Sequence, residues 1–103
     1  MPANPKRPKP IRNEAYLRAV CEMPCILTEK TPTEAAHIRY GFFSKDMKPG
    51  DDLVFPLSPD LHRRQHTMGE ISFWYSHAPE WLVMDALKAL ARERYRTWLE
   101  SNS

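Results

Sequence analysis

A length of 103 residues suits one compact domain and leaves little room for a second one once loose ends are discounted. Hydrophobic residues make up 42% of the chain and charged residues 27%, which excludes wholesale disorder and favours a folded globule. The formal net charge of +2 is too small to indicate nucleic-acid binding by itself, so such a function has to be argued from where the charges lie.

The sequence also bears on compartment and cysteine chemistry. No apolar run approaches the roughly 20 residues needed to cross a bilayer, and the N-terminus is rich in Pro and Lys rather than apolar. We therefore expect a cytoplasmic protein. Cys21 and Cys25 have no second cysteine pair, so neither a disulfide framework nor a four-cysteine zinc site can be assembled, and we expect both thiols to be reduced.

The chain begins with a basic, proline-rich segment. Its prolines forbid a helix over residues 1–10 and favour an extended lead-in, so we predict a flexible arm over residues 1–12. Four cations lie in this arm with no acid between them: Lys6, Arg7, Lys9 and Arg12. The arm either attracts phosphates or is a solvated tail that only aids solubility.

A helix and a hairpin are predicted next. Asn13 is a good N-cap, Glu14 suits a first turn, and Pro24 ends a helix that reaches about Glu22. Residues 34–39 then read as a short strand, residues 40–52 as a loop, and residues 53–57 as an apolar second strand.

The C-terminal half is predicted to be mainly helical. Ser58 as N-cap, Pro59 at the first helical position and Asp60 in the first turn begin a helix that runs to about Thr67 and is closed by Gly69. Residues 71–75 supply aromatic bulk for the core. From residue 79 to about residue 99, apolar side chains recur every three or four positions, which indicates an amphipathic helix. The expected fold class is α+β.

Three of the four histidines fall within this hairpin and helix. His37 lies on the first strand, whereas His62 and His66 lie four positions apart on the helix that follows the second strand. That spacing points two imidazoles the same way, so they can bind one divalent ion. Histidine pairs of this kind also occur on solvated helix faces, so the spacing is weak by itself.

The order of these residues resembles the HNH nucleases, also called ββα-metal or His-metal-finger nucleases. The nearest likeness is to the Ref-like branch of phage-type recombination-enhancement nucleases. The likeness extends from Glu34 to Trp74 and rests on the following segments: Glu34-Ala35-Ala36-His37-Ile38-Arg39, Asp51-Asp52, Pro56-Leu57, His62-Arg63-x-Gln65-His66, Gly69-Glu70 and Phe73-Trp74.

The resemblance implies a metal-dependent endonuclease that hydrolyses DNA in a bacterial or phage-infected cell. His37 is then the general base that takes a proton from water, and His62 and His66 hold the ion, which is Mg²⁺, Mn²⁺, Ni²⁺ or Zn²⁺. Asp52, or less favourably Asp51, takes the place of an Asn that orients the base in many members, and this acid either orients His37 or completes the metal shell. The implied partners are single- or double-stranded DNA and a recombination protein.

Two departures from the family pattern bear on the metal. The position before the base often holds a ligand and is Ala36 here, so Asp51, Asp52, Asp60 or water has to complete the shell. The cysteine pairs of a zinc ribbon are also incomplete, because Cys25 has no cysteine partners where the family places them. We therefore expect no structural zinc.

Cations flank the proposed site. Arg39, Arg63 and Arg64 can clamp phosphates, together with the cations of the arm, although exposed arginines near a helix start are often only solvated. Two other classes of protein stay open. One is a DNA-binding module that keeps the nuclease fold and does not cut, which Ala36 motivates. The other is a structural or partner-binding protein whose His62 and His66 bind metal only to stabilise the fold.

Overall fold

The computed structural model describes residues 10–41, 48–77 and 84–102. Within them, helices and strands follow one another in this order: α1 (Glu14–Glu22), β1 (Glu34–His37), β2 (Val54–Leu57), α2 (Pro59–Met68), α3 (Glu70–His77) and α4 (Met84–Ser101). β1 and β2 form a two-stranded antiparallel sheet, which confirms the α+β class. No helix in the described ranges is long and apolar enough to span a membrane.

The first helix forms as its capping signals predict. The Asn13 side chain accepts a hydrogen bond from the backbone N–H of Tyr16 at 3.0 Å, which satisfies one of the unpaired donors of the first turn. Tyr16 and Val20 are buried, whereas Cys21 is exposed. At the other end, the Thr33 hydroxyl lies within hydrogen-bonding distance of three carbonyl oxygens at the end of α1, those of Val20, Cys21 and Met23.

The sheet separates two groups of core residues. Ala36 pairs with Phe55 across the strands, and both belong to a cluster that also contains Trp74 of α3. On the opposite face, Ala35 and Val54 pack with the buried side chains of α1. Side chains alternate between the two faces of a strand, so β1 contributes to both clusters. β1 ends at His37, two residues earlier than the sequence indicated.

The helix after the hairpin begins where Ser58 and Pro59 predict, although the Ser58 side chain makes no capping hydrogen bond. Gly69 closes it with a φ of 90°, a backbone conformation that glycine adopts without a steric cost. A further helix, α3, restarts at Glu70, where the sequence indicated only aromatic bulk. Phe73 and Trp74 are buried as core residues, whereas Tyr75 is 54% exposed.

The last helix joins the two clusters. Its first half buries Met84, Leu87 and Ala91 in the cluster of Phe55 and Trp74. Its second half packs on α1 through Tyr95, whose ring meets the ring of Tyr16 edge-on at a centroid distance of 4.8 Å. The helix start that the sequence predicts at Pro79 lies outside the described residues, as does Trp81.

Candidate active site

The histidines fall on two different faces of the sheet. Glu34 and Ala36 share the face of β1 that meets α2 and α3, because Ala36 packs with Trp74 and the Glu34 carboxylate contacts His62. His37 shares the other face with Ala35, which packs against α1. The structure therefore brings His62 and His66 together and places His37 on the opposite side of β1.

The imidazole rings of His62 and His66 lie close together on α2. Their Nε2 atoms lie 3.2 Å apart and their ring centroids 4.8 Å apart. Two nitrogen ligands at about 2.0–2.1 Å from one Zn²⁺ are themselves about 2.9–3.4 Å apart for bond angles of about 90–110°. The distance between the two Nε2 atoms therefore lies in the range expected for two ligands of one ion.

The other ring nitrogen of His62 is held by a carboxylate. His62 Nδ1 lies 2.8 Å from Glu34 Oε1. An ionised carboxylate only accepts hydrogen bonds, so Nδ1 carries the proton and its N–H donates a hydrogen bond to Glu34. In neutral His62 the Nε2 atom then has a free lone pair, which either accepts a hydrogen bond from His66 or binds an ion.

Among the described residues, no third side chain joins His62 and His66 in a group that could hold an ion. In the part of the chain that the structure describes, no group of three or more His, Cys, Asp or Glu side chains is arranged to hold an ion. The carboxylate of Asp60, a sequence-based candidate for the shell, pairs instead with the Arg63 guanidinium. An ion on His62 and His66 would keep several positions for water or a phosphate oxygen.

A second histidine and carboxylate pair lies on the other face of the sheet. His37 Nε2 lies 3.0 Å from Asp51 Oδ1, and the second oxygen of Asp51 accepts a hydrogen bond of 2.8 Å from the backbone N–H of Asn13. The Arg12 guanidinium lies 3.5 Å from Oδ1. Asp51 is almost completely buried by these contacts, at 4% exposure.

The surroundings of Asp51 set its charge state. Burial would raise the pKa of the Asp51 carboxyl, but hydrogen bonds from His37 and Asn13 and the charge of Arg12 outweigh it and lower this pKa below its ordinary value. Asp51 is thus ionised near neutral pH and accepts a hydrogen bond from the N–H of His37 Nε2. When His37 is neutral, its Nδ1 atom has a free lone pair and can act as a base.

His37 and Asp51 line an open cleft with a volume of about 570 Å³. Three cations line the same cleft, namely Arg12, Arg39 and Lys48. Glu14 at the start of α1 adds a carboxylate to the lining. With Asp51 counted, the lining has three cations and two carboxylates, a small excess of positive charge that suits an anionic ligand.

The structure separates the two neighbouring acids Asp51 and Asp52. Asp51, for which the sequence also left a place in the metal shell, faces His37 on the side of the sheet away from His62 and His66. Asp52, the favoured partner of the base, lies with its carboxylate 3.6 Å from Arg92 Nε of α4. Both residues lie in the turn before β2, and of the two only the Asp51 carboxylate contacts His37.

The remaining sequence-based DNA contacts are dispersed. Arg12 and Arg39 line the cleft, whereas Arg63 and Arg64 are exposed on α2. Lys6, Arg7 and Lys9 lie outside the described residues. The end of the predicted arm is anchored, because Arg12 donates a hydrogen bond of 3.0 Å to the carbonyl of Pro49 and the Asp51 N–H donates one of 2.8 Å to the carbonyl of Ile11.

Two acids that had no assigned role make specific contacts. Glu34 holds His62, as described above. The Glu70 carboxylate accepts hydrogen bonds from the backbone N–H groups of Arg39 and Tyr40, at 2.7 and 2.8 Å, and so fixes the chain where it leaves β1. Alternation along β1 could have indicated the first contact, since Glu34 and Ala36 must share a face. The second depends on the path of the chain after β1, which no local pattern indicates.

Comparison with known proteins found no matching family model, no matching curated protein and no matching solved structure.

Proposed function

We propose that this protein is a metal-dependent nuclease that acts on DNA. The observation that carries the proposal is the convergence of His62 Nε2 and His66 Nε2, 3.2 Å apart, on the helix that directly follows a β-hairpin. The order of hairpin and helix, and the pair of imidazoles on that helix, agree with the resemblance to HNH nucleases. A divalent ion bound there would withdraw charge from a phosphodiester oxygen and stabilise the leaving group.

The cleft supports the choice of a phosphodiester as substrate. Arg12, Arg39 and Lys48 provide positive charge for a DNA backbone, and His37 lies among them. The ionised Asp51 holds the His37 proton on Nε2, which leaves Nδ1 to take a proton from an attacking water. A neutral imidazole is a suitable base near pH 7.

A second function is favoured by one observation, the position of His37 on the face of β1 opposite to His62 and His66. If the two groups do not act on the same phosphodiester, the protein is a DNA-binding module that keeps the hairpin and helix, and the ion serves only to stabilise them. Ala36, where the family often has a metal ligand, agrees with this alternative.

A cleavage assay separates the two functions. Purified protein is incubated with supercoiled plasmid and with single-stranded DNA in Mg²⁺, Mn²⁺, Ni²⁺ or Zn²⁺, with EDTA as the metal-free control. A nuclease converts the DNA to nicked or shortened products in at least one ion, and His37→Ala does not. If the protein shifts DNA in a mobility-shift assay but cleaves it in none of these ions, the protein is the DNA-binding module instead.

A further inference from the structure

The contact between Glu34 and His62 has the form of a support for a metal ligand. The carboxylate meets the ring nitrogen that faces away from His66, at 2.8 Å from Nδ1. A histidine that binds metal through one nitrogen usually donates its other N–H to a carboxylate, a carbonyl or a water, which fixes the tautomer and makes the ligand more basic.

We propose that Glu34 is a positioning residue for metal binding, which acts by holding His62 in the tautomer whose Nε2 atom is free. This inference rests on the proposed metal site of His62 and His66. Glu34 itself is not a ligand, since its contact lies across the ring from the Nε2 atoms that face each other.

Geometry of the strand makes this role specific to Glu34. Glu34 is the first residue of β1 and pairs with Leu57, the last residue of β2, just before α2 begins. Its side chain therefore extends from the sheet toward the first turn and a half of α2, where His62 lies. Since side chains alternate along the strand, Ala35 cannot replace it, and Ala36 has no polar atom.

The two tautomers of His62 determine how much metal affinity should be lost when Glu34 is removed. Without Glu34, neutral His62 can carry its proton on Nε2. Before an ion can bind, the proton then has to move to Nδ1 and the ring has to be ordered. Loss of such supporting carboxylates typically weakens metal binding about 10–100-fold. The Glu34 side chain is 52% exposed, so its removal leaves no buried cavity and the fold should persist.

Two variants and one control test the proposal on protein without DNA. Glu34→Ala removes the acceptor, whereas Glu34→Gln removes the charge and keeps a carbonyl oxygen that can accept the His62 proton. Glu93→Gln is the control, because this carboxylate is similarly exposed at 59% and pairs with Arg96 on α4. Zn²⁺ and Mn²⁺ binding is measured by calorimetry, and the His62 tautomer is read from long-range ¹H–¹⁵N correlation spectra of the metal-free protein.

We expect the wild-type protein and Glu93→Gln to show His62 protonated on Nδ1 and to bind the ion equally well. Glu34→Ala should lose this preference and bind about 10–100-fold more weakly, with Glu34→Gln in between. Unchanged affinity or an unchanged tautomer in Glu34→Ala would overturn the role of Glu34. Failure of the nuclease proposal looks different, because DNA would then stay intact although metal binding depends on Glu34.

Discussion

The Asp51 carboxylate contacts His37 at 3.0 Å, whereas the carboxylate of its neighbour Asp52 faces Arg92 on α4. This arrangement makes Asp51 the residue that sets the tautomer of the proposed base. It also makes Asp51 part of the fold, because its second oxygen and its backbone N–H bind the chain at Asn13 and Ile11.

The stability of the protein should depend on pH through Asp51. The pKa of this carboxyl is lowered in the folded state, so its contribution is fully present above the ordinary value of 3.8 and is lost as the pH falls through the lower folded value. Between about pH 5 and pH 2, the wild-type protein should therefore lose more unfolding free energy than Asp51→Asn. Urea unfolding at several pH values measures this difference, and parallel profiles for the two proteins would contradict it.

Either ligand variant should bind metal poorly. His62→Ala and His66→Ala each leave one imidazole with water, so we expect affinity to fall in both by more than the roughly 10–100-fold that loss of a supporting residue costs. The double variant should be little worse than either single one, since members of one site act non-additively. His77→Ala is the matched control, because this histidine also lies on a helix surface and packs on Phe73. Calorimetry makes the comparison, and additive losses would show that the two histidines serve separate roles.

His37→Ala should slow DNA cleavage and leave metal affinity nearly unchanged. Loss of a general base costs about 10²–10⁴-fold in rate. Because His37 lies on the opposite face of β1 from His62 and His66, the affinity for metal should stay within about twofold of the wild-type value, well below the 10–100-fold effects of groups at a metal site. Single-turnover plasmid cleavage and calorimetry are the two measurements. Much weaker metal binding in this variant would make His37 a ligand.

Two deletions of the N-terminal arm, of residues 1–9 and of residues 1–12, should give different results. Removing residues 1–9 takes away Lys6, Arg7 and Lys9, so DNA binding should weaken and its salt dependence should fall by up to about 0.9 per lost phosphate contact. Turnover at saturating DNA should be nearly unchanged. An unchanged slope of log K against log salt would reduce the arm to a solubility tail.

A deletion of residues 1–12 reaches into the site itself. It also removes Arg12 from the cleft and the bonds from Arg12 to Pro49 and from Asp51 to Ile11. We therefore expect it to lower thermal stability and cleavage as well as DNA affinity, beyond the effect of the shorter deletion. Equal stability and turnover in the two truncated proteins would contradict a role of residues 11 and 12 in shaping the cleft.

Local signals predicted the elements whose ends are set by local chemistry. Asn13 caps α1 and Pro59 begins α2 where expected, and the strand of residues 54–57 follows from its apolar run. The sequence did not predict helix α3, because Gly69 signals the end of α2. The chain nevertheless begins a new helix directly after it, at Glu70. So short a segment carries too few positions to separate a helical period from a buried strand.

The site was predictable in part. The spacing of His62 and His66 is enough to place them on one side of a helix, and the structure brings their rings together. The face of His37 could also have been derived, since Glu34 and His37 differ by an odd number of strand positions. The choice of Asp51 over Asp52 could not, because it depends on how residues 11–13 anchor the loop from a distant part of the chain.

The most direct test of the proposed nuclease is the dependence of plasmid nicking on ion concentration, measured for the wild-type protein and for His66→Ala. We expect wild-type nicking to be absent in EDTA and to rise with Mn²⁺ to a plateau. The midpoint for His66→Ala should lie higher by more than the roughly 10–100-fold that loss of a supporting residue costs, in step with the expected loss of metal affinity. Nicking that persists in EDTA, or that shows the same midpoint in both proteins, would contradict a catalytic ion held by His62 and His66.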